Sequence, residues 1–203
     1  MVDTQKIRNG IASLPKDIQD QILILLEKEE SGNETKNMKL LGGITIPANT
    51  QTFDPKIIFA AGEHDGTKFY HGDNFKKYIF KPAKLVGGVE VQNFKSYESK
   101  INLYDKQIRE EIGQQVIKPD QLWTAWKDLI FKQPQGQSGS LKNNGYSNVW
   151  YVQCADGIVR AVDCFWFADF SEWYLSCNEL VGGRWRDVRQ FFVGDDLVTS
   201  VPA

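Results

Sequence analysis

The chain has 203 residues, 41% of them apolar and 25% charged, with 24 Lys and Arg against 26 Asp and Glu for a formal charge of -2. That profile excludes collagen-like and strongly charged disordered chains, and it lacks the basic excess of a histone-like polyanion binder. The longest aliphatic run, Ile22 to Leu26, is far shorter than the roughly 20 apolar residues of a membrane span, so no membrane partner is expected. Asp3 and its polar neighbours interrupt the apolar stretch an export signal needs. Cys154, Cys164 and Cys177 are odd in number and lie in aromatic-rich segments, which points to a reducing, cytoplasmic setting and small buried thiols.

Asp3 to Glu30 is the first helical stretch. Ser13 suits an N-cap, Pro15 suits the first turn, and Leu14, Ile18, Ile22, Leu25 and Leu26 recur at helical spacing as one apolar stripe. The polar run Ser31 to Lys36 reads as a linker. Short runs follow at Gly43 to Pro47, Lys56 to Ala61, Thr67 to His71, Phe75 to Phe80 and Val89 to Phe94. They are separated by turn residues such as Asp65-Gly66 and Gly87-Gly88, and they predict an antiparallel meander.

Tyr104 to Gly113 reads as a short helix. Pro119 to Phe131 reads as a longer one, with Leu122, Trp123, Trp126, Leu129 and Ile130 on one face. The Gly/Ser/Asn-rich stretch Gln133 to Asn148 is long for a connection, as functional or mobile loops are. Val149 to Cys154, Ile158 to Phe167, Glu172 to Leu180 and Arg184 to Val193 predict a four-stranded meander. Trp173, Leu175 and Cys177 fall on one side of their strand and Glu172, Tyr174, Ser176 and Asn178 on the other. Cys164 to Phe167 is apolar on both parities, as in a strand covered on both faces.

The expected fold is therefore α+β. It consists of an N-terminal helical arm and linker (1–36) and one domain (37–203) with a mixed α/β middle and a C-terminal antiparallel β-meander packed on the Trp-bearing helix.

Reactive constellations are sparse. His64 and His71 flank a turn with Glu63, Asp65 and Asp73 nearby, but their spacing fits no zinc pattern, and polar residues are what turns contain. Gly-x-Ser-x-Gly, Walker A and G-x-G-x-x-G motifs are missing. No cofactor or metal is expected from these patterns.

Charge is more informative. Gly66 to Lys100 carries seven lysines against three acids, and Asn143 to Ala203 four arginines against eight acids. Lys76, Lys77, Tyr78 and Lys81 interleave cations with aromatics, a composition suited to single-stranded nucleic acid and equally to a protected edge strand. Arg184, Trp185 and Arg186 form a second candidate, suited to gripping an anion or to a cation–π contact inside a sheet. Six tryptophans offer interface anchors if any is exposed. The leading expectation is a non-enzymatic protein-binding or scaffolding protein, meeting a protein partner or a second copy through its N-terminal helix and aromatic surfaces. The alternative is a nucleic-acid-binding accessory protein using the Lys/aromatic patch at 68–84.

Overall fold

The runs richest in aromatic and β-branched residues form the middle of a mixed eight-stranded sheet. The structure is a computed structural model that describes residues 14–16, 18–19, 35–181 and 183–195. The strands of this sheet are β1 (Met38–Ile46), β2 (Gly62–His64), β3 (Thr67–His71), β4 (Gln92–Ser99), β6 (Asn148–Gln153), β7 (Val159–Phe167), β8 (Glu172–Glu179) and β10 (Gln190–Gly194), in spatial order β1-β4-β10-β6-β7-β8-β3-β2. A separate ribbon pairs β5 (Leu103–Tyr104) with β9 (Arg184–Trp185). The helices are α1 (Pro55–Ile58), α2 (Asp73–Phe75, continued by a π-turn over Lys76–Phe80), α3 (Asp105–Ile112) and α4 (Pro119–Ile130). No helix among the described residues is long and apolar enough to cross a membrane.

The α+β expectation is overturned. Strand outweighs helix, 38% to 23%, and strands from the beginning, middle and end of the described chain share one sheet. The expected N-terminal helical arm lies outside the described residues, apart from a turn at Lys16, Ile18 and Gln19 in which the last two N–H groups bond to Pro15 O.

The first meander does not form. β1 and β4 pair at one edge, while the β2–β3 hairpin sits at the other, parallel to β8. The second meander stops after three strands, β6 to β8. Its expected fourth strand splits in two: Arg184–Trp185 joins the ribbon, and Gln190–Gly194 inserts between β4 and β6, parallel to β6.

Local chemistry explains the other differences. Lys56 to Ala61 starts as a helix because Asp54 Oδ1 accepts the Lys56 N–H at 2.8 Å and Pro55 occupies the first turn. Phe75 to Phe80 is helical rather than extended, since its buried residues, Phe75 and Ile79, are four apart. Its π-turn closes through Lys81 N–H to Lys76 O at 2.9 Å. The 133–148 stretch is tied down by its own side chains. Gln133 donates to Leu141 O and accepts from Leu141 N–H, Asn143 donates to Gly136 O, and Gln190 donates to Ser140 O. Gly136 has φ +66° and approaches the Trp166 ring so closely that a Cβ there would lie 2.4 Å from it.

Both faces of the central strands are buried. On one face, Phe94, Phe192, Trp150, Val162 and Leu175 pack with Trp123 and Trp126 of α4 and with Phe59 and Phe75. On the other, Tyr97, Phe191, Val149, Tyr151 and Ala161 pack with Ile108 and Ile112 of α3 and with Leu103. β10 contributes to both: Phe192 stacks flat on Trp150, centroids 4.2 Å apart, while Phe191 faces α3. Phe192→Ala is therefore expected to cost about 3–5 kcal/mol, read as a lowered urea midpoint by circular dichroism.

Candidate functional site

Strand pairing sets Tyr70 of β3, Tyr174 of β8 and Phe165 of β7 side by side on the face opposite α4. Tyr70 and Tyr174 stack at 5.0 Å and Tyr174 and Phe165 at 4.9 Å. The row continues through Phe167, 6.2 Å from Phe165, to Phe170, 4.9 Å further on. The neighbouring half of this face is covered by α3 and the β5–β9 ribbon, but the row belongs to neither buried cluster. Tyr70 is 48% exposed and Phe170 58%.

The rim carries both signs of charge. Lys68 Nζ lies 3.2 Å from Glu172 and donates to Phe170 O, and Lys76 pairs with Asp73 at 3.4 Å while standing 5.7 Å above the Tyr70 ring. Toward the covered half, Asp163 is buried and accepts from Asn178 Nδ2 at 3.1 Å. Burial raises its carboxyl to about 6, against the pull of Ser147, Ser176 and the Arg189 charge.

The residues singled out from sequence are not brought together. Lys76, Lys77, Tyr78 and Lys81 lie on or beside the π-turn, which packs with the α4 side of the sheet. Two cations stand over the Tyr78 ring: Arg160 lies 3.6 Å from its centroid and Lys77 4.6 Å. Arg184, Trp185 and Arg186 belong to the α3 side. Trp185 is a clamp there, its Nε1–H donating at 2.7 Å to Asp105 Oδ1, which also accepts the Tyr151 hydroxyl at 2.9 Å. Arg184 reaches Asn102 O, and Arg186 is exposed.

The exposed aromatics are tyrosine and phenylalanine; five of the six tryptophans are buried. Phe165 and Phe167 were legible as one parity of a doubly apolar strand, and Tyr174 as part of a solvated face. Nothing local in the sequence showed that the other described elements would leave half of this face uncovered.

The imidazoles do not meet. His64 pairs with Thr67 at the hairpin end, whereas His71 is buried with Nε2 at 2.7 Å from Phe59 O, and burial lowers its pKa. Among the described residues no group of three His, Cys, Asp or Glu can hold a metal. Burial pushes the Cys164 thiol up. The Cys154 thiol moves the other way, since hydrogen bonding with Cys177 and Arg160 lowers its pKa despite burial. No family model, curated protein or solved structure matches the chain.

Because Asp163 holds its proton to a higher pH when folded than an ordinary carboxyl does, its contribution to stability falls as pH rises from about 4 to about 6. Asp163→Asn should remove that loss and gain on wild type above pH 6, measured as the difference in urea midpoint at each pH. His71 acts in the opposite sense, destabilising as pH falls below about 6.5, and cancels in that difference.

Proposed function

We propose that the protein is a non-enzymatic binding protein that works through protein–protein contact, and that its aromatic row receives the N-terminal helix of a second copy. The observation that carries this reading is the row itself: five apolar rings, two of them about half exposed, inside a rim of mixed charge. An aromatic centre with a polar rim is the anatomy of a protein interface.

The occupant follows from complementarity. Leu14 and Ile18, the first two residues of the helical stripe, are 39% and 38% exposed, which leaves part of each side chain open to a second copy. Stripe residues four apart rise about 6 Å along a helix, close to the 4.9–6.2 Å spacing of the rings. Asp17 and Asp20 of that segment suit Lys68 and Lys76 on the rim. Single-stranded nucleic acid is served less well. Bases stack on ring faces, and the Tyr174 ring is already stacked with Tyr70 and Phe165 while Arg160 and Lys77 stand over the Tyr78 ring.

Sedimentation equilibrium of the full chain tests the proposal. The wild type should dimerise, and Ile18→Asp and Phe170→Asp should each weaken the dimer by at least about tenfold with an unchanged far-ultraviolet spectrum. A monomeric wild type, or a dimer that survives either substitution, overturns it.

A further inference from the structure

The lysine- and aromatic-bearing segment that ends at Lys84 forms one wall of a cleft of about 570 Å³, closed on the other side by the start of α4 and by the β6–β7 turn. Small-molecule sites typically enclose about 300–1,000 Å³. Ile79 and Val86, both buried, and Trp123 give the cleft an apolar wall and floor.

The charged side chains that line it are Lys84, Lys118 and Asp120. Lys84 and Lys118 are exposed on its rim, and neither makes an ion pair among the described residues. The positive end of the 12-residue helix α4 opens onto the same space. The opposing charge is Asp120, whose carboxylate already accepts the Gln121 N–H at 2.9 Å.

An apolar body and an anionic, acceptor-rich head satisfy this lining together. A cation would meet two lysines, and a plain hydrocarbon would leave both lysines without a counter-charge. We infer that the cleft binds a small amphipathic carboxylate, with its chain against Ile79, Val86 and Trp123 and its head group between Lys84 and Lys118. The site is separate from the aromatic row, which lies on the opposite face of the sheet, so the two readings stand or fall independently.

Cys154 lines the same cleft and reports on its occupancy. Hydrogen bonding with Cys177 and Arg160 lowers its thiol pKa while burial raises that of Cys164, so iodoacetamide should modify Cys154 ahead of Cys164, and Cys154→Ser should abolish that labelling.

Decanoate below its micelle concentration is the probe, titrated calorimetrically into the full chain, with decanol and acetate as the head-free and chain-free arms. The expected result is saturable one-to-one binding of decanoate, weakened at least about tenfold for either control compound and for the double variant Lys84→Glu/Lys118→Glu. Decanoate should also slow Cys154 alkylation by about the same factor. The inference is overturned if decanoate does not saturate, if decanol binds as well, or if the double variant binds decanoate unchanged while its circular dichroism matches wild type.

Discussion

The structure depends on the insertion of β10 between β4 and β6. Five residues, Gln190–Gly194, join the antiparallel β1–β4 pair to the β6–β7–β8 meander, and among the described residues no other strand pairing links the two halves. Such a central strand must be apolar on both faces, and Phe191-Phe192-Val193 is. Its parallel pairing with β6 requires a long return path, which the chain spends on β7, β8 and the ribbon. The 186–189 turn just before β10 is held by Ser99: its carbonyl accepts the Val188 N–H at 2.7 Å, and its hydroxyl accepts the Arg189 N–H at 3.1 Å. Val188 adopts φ 56° there, an unfavourable conformation for a β-branched residue that the surrounding bonds hold in place.

From that insertion follows the unequal covering of the sheet. One face receives α4 and α2 along the strands from β4 to β3, so its tryptophans are buried. Among the described residues the other receives α3 and the short ribbon, anchored by the Asp105 carboxylate between Tyr151 and Trp185. A two-residue strand and an eight-residue helix cover β4, β10, β6 and the start of β7, and leave Phe165, Phe167 and Tyr174 outside the buried cluster. The rings of β3, β7 and β8 are left to cover one another, and cross-strand stacking is how they do so.

The two surfaces proposed to bind differ because their chemistry differs. The aromatic row is shallow and ringed by charges of both signs, a lining that favours another folded surface. The cleft beside α4 is concave, apolar and edged by lysines, a lining that favours a small anion. The segment from Thr67 to Lys84 contributes to both, since β3 places Tyr70 on one face while the π-turn carries Ile79 and Lys84 to the other.

Local pattern by itself determined β3, the two longer helices at Asp105 and Pro119, the hairpins around Asp65-Gly66 and Asp156-Gly157, and the buried parity of Trp173, Leu175 and Cys177. In each case the period, cap or turn residue acts over a few positions, so the signal is complete within the segment. Only the tertiary structure decided that Arg184 to Val193 would divide between two sheets, that Phe75 to Phe80 would coil, that Trp185 would turn inward to Asp105, and that Tyr70 would meet Tyr174. Those outcomes depend on partners distant in sequence: Ser99, Asp105, and a strand inserted from the far end of the described chain. A residue's own neighbourhood carries no record of which remote surface will cover it, and that covering is what separates a core aromatic from a binding one.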